Sequence, residues 1–141
     1  MVLVDTTIWS LALRHRPDRL HPREQTLVDA WASLVASGTA LLIGPIRQEI
    51  LSGIRHGEAF EAIRRRLAAF PYLPIGMQDY DKAAVFFNTC RAKGITGSAT
   101  DMLICAAADG HGVPIFTTDP DYQRYARHVP VRLYKPGKKW A

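Results

Sequence analysis

The segment Thr100-Asp101-Met102-Leu103-Ile104-Cys105-Ala106-Ala107-Ala108-Asp109-Gly110-His111-Gly112-Val113-Pro114-Ile115-Phe116-Thr117-Thr118-Asp119-Pro120 decides the fold. Met102 to Ala108 is apolar without a break, a pattern that predicts a helix buried on most sides. Gly110 and Gly112 stop it. Val113 to Thr117 then reads as a strand with both faces covered, and Asp119-Pro120 opens another helix, because proline suits the first helical position. A buried helix running directly into a buried strand is the unit of an α/β chain with a parallel sheet.

Working outward, the same alternation recurs. Val2 to Val4 form a β-branched run ended by Asp5, and Ile8, Leu11 and Ala12 follow at helical spacing. Arg14 to Pro22 reads as a polar loop. A helix from Pro22 presents Leu27, Ala30, Trp31, Leu34 and Val35, and Gly38 ends it. Ala40-Leu41-Leu42-Ile43 is a buried strand, and Gly44-Pro45 leads into a helix placing Ile46, Glu49, Ile50 and Gly53 on one face. Further helices are expected over about 58–69, and from an Asp79 cap through Ala83, Phe86 and Cys90 to Gly94. Phe70 to Met77 is loop or short edge strand, and Val131 to Tyr134 reads as a last strand. The expected architecture is a three-layer α/β/α sandwich around a mainly parallel sheet.

Composition narrows the class. At 141 residues the chain predicts one domain over 1–141, with a short basic tail at about 135–141. Hydrophobic residues at 48% and charged residues at 22% exclude disorder and collagen-like repeats. Asp5 interrupts the first apolar run and no basic segment precedes it, so no secretory leader is expected. The longest uncharged stretch, Ala30 to Ile46, is broken by Gly38, Gly44 and Pro45, which argues against a membrane span. A cytoplasmic protein is expected. Cys90 and Cys105 read as buried thiols, since no CxxC or His/Cys cluster accompanies them. No phosphate-cradling GxxxxGK[ST] and no Ser/His/Asp pattern is present. Lys+Arg 18 against Asp+Glu 13 gives a net charge of +5, which favours polyanionic partners.

The acids carry the chemistry. In a parallel sheet, ligands bind beyond the carboxyl ends of the strands. Asp5 ends the first strand, Asp119 follows the strand of Ile115 to Thr117, Asp101 starts the buried helix, and Glu49 follows the strand of Leu41 to Ile43. Each also has a structural reading: Asp5 and Asp119 as helix caps, Asp101 as a partner of the helix dipole. Glu49 lies on an apolar stripe, so it must reach the rim or find a partner. Asp121 stands two residues beyond Asp119 and offers a further ligand. Asp109 lies too far along its helix to join such a site. If these acids converge, repulsion between unit charges ~4 Å apart is ~4 kcal/mol at an effective dielectric of 20, so protons or a cation must offset it. An all-oxygen set favours Mg²⁺ or Mn²⁺, which can activate water and hold a scissile phosphate. Thr7 and Thr117 read either as hydrogen-bond partners of the acids or of metal-bound waters, or as ordinary strand and cap residues. Arg64-Arg65-Arg66 and Lys135, Lys138 and Lys139 read either as solvated faces or as contacts to RNA phosphates or to the acids of a protein partner.

Four stretches in order, Val2 to Trp9, Gln48-Glu49-Ile50, Thr100 to Ala108 and Ile115 to Tyr122, resemble the PIN-domain ribonucleases, in particular VapC-like toxins of toxin–antitoxin pairs. The resemblance spans nearly the whole chain. It implies an α/β/α sandwich and Mg²⁺- or Mn²⁺-dependent cleavage of RNA. It implies catalytic acids at Asp5, Glu49, Asp101 and Asp119, with Asp5, Asp101 and Asp119 on the metal and Thr117 as the supporting hydroxyl. It also implies a homodimer and a small cognate antitoxin as partner. Two rivals stand beside it. One is a catalytically silent PIN-like module that binds RNA or antitoxin. The other is a phosphatase of the haloacid dehalogenase type, which lacks its second aspartate because Thr7 occupies that position.

Overall fold

A computed structural model of the chain describes residues 1–14 and 17–137. Three short parallel strands, β1 (Val2–Val4), β2 (Ala40–Leu41) and β3 (Ile115–Phe116), lie in the order β2-β1-β3. Val2 pairs with Ala40 and Leu3 with Leu41 on one side; Leu3 pairs with Ile115 and Val4 with Phe116 on the other. Every one of these strand residues is buried, as expected of a sheet covered on both faces. The covering helices are α1 (Thr6–Arg14), α2 (Pro22–Ala36), α3 (Gly44–Ser52), α4 (Gly57–Leu67), α5 (Met77–Ala92), α6 (Ala99–His111) and α7 (Asp121–Tyr125), giving the α/β/α sandwich.

Local chemistry explains most boundaries. Gly38, Gly94 and Gly112 follow α2, α5 and α6 with φ of 71°, 77° and 64°, the left-handed region where only glycine escapes a Cβ penalty. All seven residues from Met102 to Ala108 are buried. The small side chains of Cys105 to Ala108 let this half of α6 run through the core. Trp9 is fully buried beneath the sheet, its indole N–H donating to the Val4 carbonyl at 2.8 Å. Its ring meets Trp31 edge-on at 5.8 Å and Phe70 at 4.7 Å. Cys90 and Cys105 are buried free thiols, as expected.

The structure departs from the sequence reading in several places, the first being that β2 and β3 are shorter than the strands expected over 40–43 and 113–117. The polar loop before Pro22 contains a 3₁₀ turn at Pro17–Arg19. The last strand shrinks to one parallel bridge, Ile115 with Leu133, although Ile115 N–H still takes the Arg132 carbonyl at 2.9 Å. The segment after Phe70, expected as loop or short edge strand, contributes one bridge, Leu42 with Tyr72. Asp79 caps α5 from its third position, accepting the Gly76 N–H at 2.9 Å, so the helix starts earlier than an Asp79 cap would put it.

Candidate functional site

Parallel strands end on one side, and the register fixes what meets there. With Val4 opposite Phe116, Asp5 is drawn beside Thr117; the Asp5 N–H donates to the Phe116 carbonyl at 2.8 Å. Asp5 is 5% exposed, the one buried charged side chain among the described residues. Thr117 donates its hydroxyl to Asp5 Oδ2 at 2.6 Å and accepts the Asp119 N–H at 3.0 Å. Thr7 also donates to Asp5 Oδ2, at 3.3 Å, and accepts the Thr118 N–H at 3.1 Å. Two threonines thus tie the start of α1 to the loop that carries Asp119.

Asp101 arrives from another direction. Ser98 caps α6 and accepts the Asp101 N–H at 2.9 Å, which puts the carboxylate in the first turn, where the helix dipole favours negative charge. Tyr122 donates to Asp101 Oδ1 at 3.4 Å and Tyr125 to Oδ2 at 2.7 Å. Asp119 accepts the Asp121 N–H at 2.9 Å, a local turn that sets Asp121 at the head of α7, where it pairs with Arg124. Carboxylate oxygens of Asp101, Asp119 and Asp121 lie within 4.8 Å of one another, all three residues half-buried.

Of the four acids expected to converge, Asp101 and Asp119 therefore do, and Asp121 joins them. Asp5 lies outside that group of three but is linked to it through Thr117. Glu49 is exposed on α3, and its Oε2 accepts the Thr6 hydroxyl at 2.7 Å. It has thus reached the rim and also found a partner. Burial pushes the Asp5 carboxyl above its ordinary range, against the Thr117 hydrogen bond; the Asp101 and Glu49 charges push the same way as burial. Burial first, then nearby acids, raises the Tyr122 phenol; burial and the hydrogen bond to Asp101 raise that of Tyr125. Both stay protonated donors.

Arg124 offsets part of this crowded charge by pairing with Asp121, and oxygen donors without a thiolate or imidazole suit a hard divalent cation. The donor set therefore fits Mg²⁺ or Mn²⁺. Beside it, a cavity of about 600 Å³ opens between α3, α5 and α6, lined by uncharged residues including Gln48 and Thr100, the neighbours of Glu49 and Asp101.

Other expected residues fall elsewhere. Arg64 grips Glu61 on α4 through two of its nitrogens, at 3.0 and 2.8 Å, and Arg65 and Arg66 are exposed. Lys135 is exposed, and Lys138 and Lys139 lie outside the described residues. Asp109 pairs with Lys82 at 2.9 Å, away from the acids as expected. Sequence reasoning missed Thr6, Ser98, Tyr122 and Tyr125. The visible signal was two tyrosines, three and six residues beyond Asp119, on one face of the helix it introduces.

Comparison with known proteins defines the class. The PIN-domain family model matches residues 2–128, and the chain belongs to the PIN-domain family. The fold is shared with FitAcB from Neisseria gonorrhoeae (22% identity, 96% of this chain and 98% of that chain, TM-score 0.74). It is shared with VapBC2 from Rickettsia felis, solved bound to a DNA fragment from their promoter (15%, 95% and 98%, TM-score 0.74). Mycobacterium tuberculosis VapC20, a sarcin-ricin loop cleaving toxin, is also similar (20%, 94% and 99%, TM-score 0.68). No curated protein matches the chain in sequence. No helix among the described residues is long and apolar enough to cross a membrane.

Proposed function

We propose that the chain is a divalent-metal-dependent endoribonuclease, the toxin of a toxin–antitoxin pair, working in the cytoplasm as one nuclease domain. The observation that carries this reading is the group of Asp101, Asp119 and Asp121 at the strand ends, with buried Asp5 linked to it through Thr117. Asp101, Asp119 and Asp121 would hold Mg²⁺ or Mn²⁺, and Asp5 would back the set from beneath. When bound, such an ion supplies a Lewis acid for a phosphodiester and offsets the crowded negative charge. Glu49, anchored by Thr6, is assigned to orienting the attacking water from the open side. Thr117 holds Asp5 and the Asp119 backbone in one arrangement, so the acids need not reorganise when charge develops.

Support for the substrate and partners comes from the fold neighbours, one a sarcin-ricin loop cleaving toxin and another held on promoter DNA. By this reading RNA is the substrate, a small cognate antitoxin the inhibitor and a second copy the partner in a homodimer. Arg65, Arg66 and Lys135 are offered as phosphate contacts on the basic exterior.

Purified protein is expected to cleave structured RNAs with Mg²⁺ or Mn²⁺ and to stop when EDTA is added. Asp101→Asn and Asp119→Asn should keep the fold and lose turnover by at least about a hundredfold, the scale of losing a positioned electrostatic group. RNA binding that persists unchanged without any cleavage under all metals would instead support the silent-module reading.

A further inference from the structure

Resting on the metal-dependent reading above, we propose that Tyr125, seated on Gly97 and seconded by Tyr122, is the positioning residue that fixes the Asp101 carboxylate for the cation. Both phenols are 1% exposed, and each donates to a different oxygen of the same carboxylate, at 2.7 Å from Tyr125 and 3.4 Å from Tyr122. A carboxylate oxygen has two lone pairs, so one phenol on each leaves the other lone pair for a cation while fixing the plane in which it points. Simple satisfaction of two buried hydroxyls would not require both to converge on one side chain. The two rings also meet edge-on at 5.2 Å, which stiffens them as a unit.

The arrangement makes α7 the organiser of all three acids. Its first residue is Asp121, Asp119 stands two residues before it, and its phenols hold Asp101 from α6. Gly97 supplies the seat. A Cβ there would lie 3.2 Å from two Tyr125 ring atoms and 2.6 Å from the terminal methyl of Met102. The methyl can swing aside, but the ring is confined by the hydrogen bond at its tip.

Tyr125→Phe removes the donor and keeps the ring; Gly97→Ala keeps the donor and pushes the ring. Two measurements on the full chain separate positioning from packing. Without metal, Asp101 Hα–Hβ couplings should report one rotamer in the wild type and averaging in both variants. With metal, Mn²⁺ affinity by electron paramagnetic resonance should fall about tenfold or more, as for lost partners of ligating groups. Should one variant fail to fold, the other carries both measurements. Unchanged couplings overturn the proposal whatever the metal does, and averaged couplings with unchanged Mn²⁺ affinity overturn it too. Averaged couplings in a protein whose wild type binds no Mn²⁺ would support the hold on Asp101 and sink the metal reading instead.

Discussion

At the scale of single residues, Thr117 does more than its size suggests. One hydroxyl donates to a buried carboxylate and accepts a backbone N–H from the loop that carries two acids. Thr117→Val keeps the shape and strips both bonds, which should cost about 1–3 kcal/mol in denaturant unfolding, whereas Thr117→Ser should recover most of it. The two buried indoles make a second contrast. Trp9 N–H has the Val4 carbonyl, while the Trp31 nitrogen is buried without a partner among the described residues. Trp9→Phe orphans an acceptor in the core and should destabilise by more than Trp31→Phe, which removes an unsatisfied donor; paired denaturant melts decide this. Asp5 gives the pH dependence. Its folded carboxyl binds a proton more readily than the unfolded one, so its stabilising effect is complete below the ordinary value of 3.8 and is lost as pH rises through the raised folded value. In EDTA, wild-type unfolding temperature should therefore drop over that interval relative to Asp5→Asn; parallel pH profiles for the two would contradict it.

Elements were legible where their pattern was internal and less so where it depended on a neighbour. Met102 to Ala108 could be read as a buried helix from its own run of apolar residues, and Ser98 turned out to cap it. Ser98→Ala should cost about 1 kcal/mol and loosen the turn that carries Asp101, seen as faster amide exchange at the start of α6. Val131 to Tyr134 has strand composition, yet only Leu133 forms a bridge, because pairing needs a partner edge and β3 itself is two residues long. Glu49 shares by spacing the stripe of Ile46 and Ile50, but it sits at the stripe's border, where a long side chain reaches solvent and Thr6. Asp119 and Asp121 could be read as neighbours in sequence; that Asp101 closes the group, and Asp5 does not, depends on side-chain reach across α6 and α7. The tyrosines on Asp101 were hidden for the same reason.

For the whole molecule, the sequence order of acids at strand ends and helix starts indicated the site's place, because a parallel sheet brings strand ends and the following helix starts to one end. What it could not give was the division between a group of three, a buried fourth and a rim fifth. That division also changes the meaning of the net charge of +5. Asp5, Glu49, Asp101, Asp119 and Asp121 gather at one end of the sheet, so the remaining surface is more basic than the total implies. Binding to RNA should weaken steeply as salt rises, and Arg65→Ala with Arg66→Ala should flatten that slope while sparing Mn²⁺ affinity. The central claim, that these acids cut RNA, is tested most directly by mapping RNA 5′ ends across cells after induction of the wild-type chain and of Asp101→Asn. Discrete new ends confined to the wild type are predicted. The same ends in both strains, or none in either despite folded protein, would contradict it.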